Sequence, residues 1–205
     1  MIGWYLSKLQ RSSSYAERFS LSREDILARL SAKSVAIVGN ARALCETSQG
    51  SDIDAADIVI RINSAPMPAA ASHGQRTDWL AMSTPVSQAI VQERAPDLLM
   101  WMTPKRRRLP LRIARHRDFY LNAIDDWQRL RATLPANPTT GLMVIDLAAA
   151  SNASRVDLYG FDFFSSLSLS GRRSAEQVPH DFGSEREWVE QRMGADSRLT
   201  LHPMK

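Results

Sequence analysis

Short runs rich in Val, Ile and Leu recur along the chain, most of them separated by segments of helical periodicity, and this alternation restricts the fold more than any other feature. "SVAIVG" (34–39) is an apolar run of strand length that stops at Gly39 and Asn40. "DIVIRI" (57–62) alternates apolar and polar residues and reads as a second strand. "DWLAMS" and "DLLMWM" read as a third and fourth, with a helix over "PVSQAIVQER" between them. "DFYLN" is a short fifth strand followed by a helix over "DDWQRLRATL". "NPTTGLMVIDLAAAS" reads as a loop entering a helix that is apolar on most sides, hence buried, and "RVDLYGF" is the strand after it. Before the first strand, "SLSREDILARL" offers Ser22 as N-cap with Asp25 three residues on. "GSEREWVEQRM" reads as a last helix, with Ser184 as its cap, Glu187 closing the box and Glu185 complementing the dipole.

Strands joined by helices pair in parallel and need cover on both faces. The expected fold is therefore α/β, a mostly parallel central sheet flanked by helices on both faces, Rossmann-like. Residues 22–205 form its single domain, and 1–21 an N-terminal appendage. Ligands of such sheets bind beyond the carboxyl ends of the strands. Three segments place glycine or small polar residues at, or leading to, those ends: Gly39-Asn40, Thr139-Thr140-Gly141 and Gly160-Phe161.

Composition narrows the partners. Apolar residues at 44% and charged residues at 23% belong to an ordinary globular domain with a core. No apolar run reaches the ~18 residues that span a bilayer, and "MIGWYLSKLQRSSSYAERF" lacks the apolar centre of a signal peptide. With Cys45 as the single cysteine there is no disulfide within the chain, which fits a reducing, cytoplasmic compartment. The net charge of +4 is concentrated in "PKRRRLPLRIARHR" (104–117). This run reads as a solvated loop or as a peripheral anchor for anionic headgroups at the inner membrane. Its lack of aromatic residues for stacking argues against nucleic acid. Ile2, Trp4, Tyr5 and Leu6 either pack on the domain or lie at a membrane interface.

The strand ends are selective about what they can hold. Gly39 to Leu44 carries one of the three glycines of a dinucleotide fingerprint, and no P-loop pattern occurs. "DID" (52–54) matches a D-x-D pair that holds a divalent ion against a diphosphate. Here it precedes a strand instead of following one, so it reads as turn carboxylates that cap local N–H groups, and no metal is assigned.

Three stretches together resemble a known family, the eukaryotic-type sialyltransferases of glycosyltransferase family 29. The family's long motif resembles "VAIVGNARAL…GSDIDAADIVIRINSAP…GQRTD" from Val35 to Asp78. Its short motif resembles "NPTTGLMVIDLAAASNASRVDLYGF", Asn137 to Phe161. Its last motif, His followed five positions later by Glu, resembles "HDFGSE", His180 to Glu185. They occur in the family's order and cover about half of the chain. The resemblance implies a variant of the GT-A type glycosyltransferase fold. It implies transfer of a sialic-acid-type sugar from its CMP ester to an acceptor glycan or lipid-linked glycan hydroxyl, with inversion and without a cofactor or metal. It further implies that Gly39, Asn40 and Asn63 contact the nucleotide and its phosphate. Thr139, Thr140 and Gly141 would lie against ribose or the sugar carboxylate, Gly160 and Phe161 near cytosine, and His180 would be the catalytic base.

The chemistry is compatible with these roles. The leaving phosphate monoester needs about one negative charge stabilised, and the free N–H groups of a helix N-terminus can do so. Of the four histidines, His73, His116, His180 and His202, only His180 sits in a structured context directly before a helix, and a neutral imidazole can take a hydroxyl proton.

The chain departs from the family where Val35 and Ala153 occupy cysteine positions and Ala41 a serine position. Asn137 stands in place of an aromatic, and a short histidine-rich motif is absent from the brief interval 162–179. These departures leave Kdo open as the activated sugar. They also leave open a degenerate, non-catalytic nucleotide-binding protein, or a basic membrane or nucleic-acid adaptor.

Overall fold

The computed structural model describes residues 14–64, 66–163, 169 and 180–204. Among them, seven strands form one sheet: β1 (Ser34–Val38), β2 (Ile58–Ile62), β3 (Trp79–Met82), β4 (Leu98–Trp101), β5 (Asp118–Leu121), β6 (Arg155–Tyr159) and β7 (Leu199–Leu201). Their order is β5-β4-β3-β2-β1-β6-β7, and every pairing is parallel. The helices, in chain order, are α1 (Ser14–Glu17), α2 (Arg23–Leu30), α3 (Gly50–Asp54), α4 (Ala70–His73), α5 (Gln88–Arg94), α6 (Leu111–Ala114), α7 (Ile124–Arg131), α8 (Thr140–Ala149) and α9 (Phe182–Ala195).

The expected Rossmann-like α/β architecture is the one observed. Successive side chains of a strand go to opposite faces, and both faces are apolar. On one, Val35, Ile37, Ile60, Ile62 and Met100 pack with Ile26 and Leu30 of α2 and with α8 from Leu142 to Ala148. On the other, Leu80, Met82, Leu99 and Trp101 pack with Val91, Leu109 and Ile113, and Ala36, Val38 and Val59 with Leu44, Ile53 and Ala56. Each large side chain fully buried in this way contributes roughly 1.5–3 kcal/mol.

From β1 the chain steps outward to β5, then returns through α8 to place β6 on the other side of β1. The direction of winding thus reverses between β1 and β6, and the crevice of such a sheet opens beyond the carboxyl ends at that reversal. The order puts Gly39-Asn40 and Gly160-Phe161 side by side.

Several local expectations change. "DIVIRI" is a strand as read, and its alternation marks no exposed face, because all five residues of β2 are buried. Arg61 is 1% exposed; its Nε donates to the Arg76 carbonyl at 2.7 Å and Nη2 to the His73 carbonyl at 2.6 Å. Burial lowers its pKa to about 10. With both faces of the sheet covered, polar alternation no longer marks a solvent face. The last helix begins at Phe182, and its cap is Asp181, whose Oδ1 accepts from Ser184 N–H at 3.0 Å. Ser184 therefore lies inside the helix, where its own N–H needs the cap. β7 has no counterpart in the sequence reading, because three residues, "LTL", are too few to show a period. The α2 capping box of Ser22 and Asp25 is present in both directions, at 3.0 and 2.9 Å.

Among the described residues no helix is long and apolar enough to cross a membrane. Ile2, Trp4, Tyr5 and Leu6 lie outside the described residues, as does most of the interval 162–179. Within the described part of the N-terminal segment, Tyr15, Ala16 and Phe19 pack on the β3–β5 side of the core. Leu21 N–H donates to the Phe119 carbonyl at 2.7 Å.

Candidate functional site at the carboxyl ends of the strands

The reversal point is built on two glycines. Gly39 N–H donates to the Tyr159 carbonyl at 2.7 Å, and Ala41 N–H to the Gly160 carbonyl at 3.1 Å, so the two chains run together past the strand ends. A Cβ on Gly39 would lie 2.3 Å from the Gly160 carbonyl oxygen, and Gly160 has φ +68°. No larger residue fits the first position, and the second needs a conformation that glycine adopts without strain. Beyond Gly160, the Phe161 ring reaches α8: a Cβ on Gly141 would meet Phe161 Cε1 at 2.7 Å.

The asparagines belong to this rim. Asn40 Nδ2 donates to the Ile62 carbonyl at 3.1 Å, tying the end of β1 to that of β2. Asn63 follows β2 with φ 56°, a left-handed conformation that asparagine tolerates better than most residues. Its N–H donates to the Ala81 carbonyl at 2.7 Å, and its Oδ1 accepts from Ser83 N–H at 3.3 Å. Among the described residues its Nδ2 has no partner.

The start of α8 is held at several points. Thr139 is its N-cap, with Oγ1 accepting from Leu142 N–H at 3.1 Å. Thr140 Oγ1 donates to Ser83 Oγ at 2.7 Å, linking the helix to the end of β3. Thr139 donates its N–H to Glu185 Oε1 at 2.6 Å and its hydroxyl to Glu185 Oε2 at 2.7 Å. The N–H groups of Thr140 and Gly141 have no hydrogen-bond partner among the described residues. Both residues are buried. Two unpartnered N–H groups at the first turn of a ten-residue helix can take an acceptor, and an anion suits both the donors and the helix dipole.

His180 stands next to this start. Its Nδ1 bonds the Asn137 carbonyl at 2.7 Å, two residues before Thr139. Burial lowers its pKa below the ordinary 6.5, the Asn137 bond acts against that shift, and the Lys105 charge lowers it further. The ring is therefore neutral near pH 7. The other histidines are committed elsewhere. His73 is buried with Nδ1 on Ser72 Oγ at 2.8 Å. His116 bonds the Asp118 carbonyl at 2.9 Å. His202 bonds Asp157 at 2.9 Å and stacks on Tyr159.

Glu185 was assigned only a dipole role from sequence; it is the buried carboxylate that joins α9 to α8. Desolvation holds its pKa up at about 7, against the pull of its two bonds from Thr139. The glutamate of the His-to-Glu motif was the available signal, but no local pattern names a partner 46 residues away. The "DID" carboxylates are not turn groups capping local N–H groups: they lie in α3, and Asp54 accepts from Gln75 N–H at 2.8 Å and Arg76 N–H at 3.0 Å, more than twenty residues on. No group of three metal-ligating side chains occurs among the described residues. A cavity lined by Arg23, Asn122, Asp126, Met143 and Asp146 includes none of the nine residues expected at the site.

All nine residues expected at the site thus fall on the carboxyl-end rim or on the segments packed against it. The basic run does not form one exposed strip. Arg106 turns inward to the carbonyls of Thr103 and Asn122, and Arg112 to that of Val86. Arg115 lies over the Phe19 ring, and Arg117 pairs with Asp97.

Comparison with known proteins agrees with this fold. No curated protein sequence matches the chain. Among solved structures, a mammalian sialyltransferase superposes with a TM-score of 0.64 at 17% identity, covering 98% of this chain and 84% of its own. The sialyltransferase CstII from Campylobacter jejuni, in complex with cytidine 5'-monophosphate, superposes with a TM-score of 0.57 at 16% identity, over 83% of this chain and 80% of its own. CstII in complex with a trisaccharide acceptor and CMP gives 0.51 at 16%, over 82% and 80%. At these identities the likeness is one of fold. The family model described as glycosyltransferase family 29 (sialyltransferase) matches residues 5–109, just over half of the 205-residue chain. That span holds β1 to β4 with Gly39, Asn40 and Asn63, and stops before α8 and His180. The chain belongs to glycosyltransferase family 29, the sialyltransferases.

Proposed function

We propose that this transferase moves a sialic-acid-type sugar from its CMP ester to a hydroxyl of an acceptor glycan, free or lipid-linked, with inversion at the anomeric carbon. The observation that carries the reading is the pair of unpartnered N–H groups on Thr140 and Gly141. They lie beside the Phe161 ring and one short loop away from a neutral His180. The CMP and acceptor complexes of neighbouring folds support the same substrates.

In this reading the Thr140 and Gly141 N–H groups and the free Asn63 amide receive the phosphate as its ester bond to the sugar breaks. Gly39, Asn40 and Gly160 shape the nucleotide pocket, and Phe161 offers its ring to the cytosine. Thr139 sets the helix start. The acceptor hydroxyl attacks the oxocarbenium-like carbon from the face opposite the leaving phosphate, which inverts that centre. Its proton passes to Nε2 of His180, because Nδ1 is occupied by the Asn137 carbonyl. The leaving phosphate is stable as an anion, so backbone donors and the helix dipole can serve where a diphosphate would call for a metal.

Transfer and donor hydrolysis, measured as CMP release with and without EDTA, test the proposal. His180→Ala is expected to lower kcat by about 10²–10⁴-fold. Asn63→Ala is expected to raise the donor KM roughly tenfold through a lost charge-assisted bond. EDTA is expected to leave the rate unaltered. Full activity in the His180 variant removes the imidazole from the mechanism, and CMP binding without turnover in the wild type identifies a non-catalytic nucleotide-binding protein.

A further inference from the structure

Directly after β4 the chain crosses the same carboxyl-end rim as the turn Arg106–Arg108. Two inward anchors fix this turn. Arg106 sends its guanidinium to the Thr103 and Asn122 carbonyls, and Leu109 is fully buried. The backbone closes on itself through Arg108 N–H to the Lys105 carbonyl at 3.0 Å. With 106 and 109 turned in, Lys105, Arg107 and Arg108 are left exposed.

Among the described residues none of these three side chains has a carboxylate or any other hydrogen-bonding partner. The other arginines of the run are all engaged: Arg106 and Arg112 on carbonyls, Arg115 on an aromatic ring and Arg117 on Asp97. The uncompensated charge of the run is therefore confined to the part that borders the strand ends. The turn leaves β4 beside β3, the strand whose following residue Ser83 is bonded to the start of α8 where His180 stands, and the Lys105 charge acts on that imidazole. Three cations held next to one another without counter-charge repel, and a mutual anion removes that cost.

We propose that Lys105, Arg107 and Arg108 form an acceptor subsite, and that the preferred acceptor is an anionic glycan carrying a carboxylate or phosphate near its reacting hydroxyl. This rests on the reading of His180 as the base, because it is that role which places the incoming hydroxyl beside Lys105. In that reading the donor's phosphate is received by the start of α8 and by Asn63, which leaves the cations to the second substrate. The charge speeds encounter with an anionic glycan and fixes the orientation in which its hydroxyl faces Nε2.

The test is acceptor competition at low salt with CMP-sialic acid as donor. It compares a neutral lactoside, the same lactoside bearing a terminal carboxylate sugar, and the same lactoside bearing a phosphate. Wild-type kcat/KM is expected to favour at least one anionic acceptor over the neutral one by about tenfold or more, with the ratio falling as salt rises. The carboxylate and phosphate arms tell which anion is meant. In a Lys105→Ala/Arg107→Ala/Arg108→Ala variant the ratio is expected to fall towards one, and in Lys105→Arg/Arg107→Lys/Arg108→Lys it is expected to be retained. Because the readout is a ratio, loss of folded protein or of base strength cancels.

Equal use of charged and neutral acceptors by the wild type, with CMP release intact, overturns this inference and leaves the proposed function standing. The same holds if the Ala variant keeps the preference but no longer binds phosphatidylglycerol vesicles, which would assign the cations to a membrane. No CMP release with any acceptor overturns both.

Discussion

At the scale of single residues, the site depends on backbone positions that few amino acids can occupy and on one imidazole in an unusual state. Gly39 and Gly160 let two strands leave the sheet in contact, and Asn63 turns the chain left-handed at the end of β2. His180 is kept neutral by burial and by the Lys105 charge, which outweigh the Asn137 bond. A base must be unprotonated to act, so activity is lost as pH falls through its pKa. The acid limb of kcat/KM is therefore expected to have its midpoint below the ordinary 6.5. Glu185 also titrates in the neutral range, so the assignment is checked with Glu185→Gln, in which the same limb should remain. A midpoint at or above 6.5, or a limb that disappears in Glu185→Gln, would transfer the titration to another group. The places of these residues, as distinct from their roles, were legible in sequence through the motifs they belong to and because each marks a turn, a cap or a strand end. The states of Asn63 Nδ2 and His180 were not, because they depend on neighbours far along the chain.

At the scale of elements, the junction between α8 and α9 organises the site. Glu185 on the first turn of α9 receives both the N–H and the hydroxyl of Thr139, and the Asn137 carbonyl accepts from Nδ1–H of His180. The start of α8 and His180 are therefore tied to one junction, so that in the proposed mechanism the phosphate site and the base are positioned together. Glu185→Ala removes the acceptor of two Thr139 donors in a buried setting, for a cost of about 2 kcal/mol, with a rise in donor KM as the helix start loosens. The carboxyl titrates near 7 in the fold against an ordinary 4.5. Between those values the folded chain keeps a proton that the unfolded chain has released, so this group's contribution to stability falls as pH rises from 4.5 to 7. Urea unfolding across that range should show the decline in the wild type and not in Glu185→Gln. An identical slope in both proteins would mean that Glu185 is not the group responsible. Sequence supplied α8 and α9 as helices but misplaced the cap of the second. Ser184 and Asp181 are both sound N-caps by type, and only the position of the incoming backbone decides between them.

At the scale of the whole molecule, a seven-stranded parallel sheet reverses its winding between β1 and β6 and thereby opens a crevice at their carboxyl ends. Alternating strands and helices predicted the class of fold because apolar runs of strand length can be covered on both faces only by the helices between them. They did not predict the strand order, which is a matter of long-range pairing, nor β7, whose three residues carry no period. The burial of Arg61 was illegible for a related reason, since a guanidinium bound to buried carbonyls cannot be told in sequence from a solvent-facing one.

The central claim is that cytidylate sits at this reversal with its phosphate on the start of α8. A crystal structure with CMP tests it most directly. The account predicts the phosphate within hydrogen-bond distance of the Thr140 and Gly141 N–H groups, the cytosine beside Gly160 and Phe161, and His180 facing the position of the departing sugar. CMP bound elsewhere on the molecule, or a phosphate at the crevice with His180 on its far side, would contradict it.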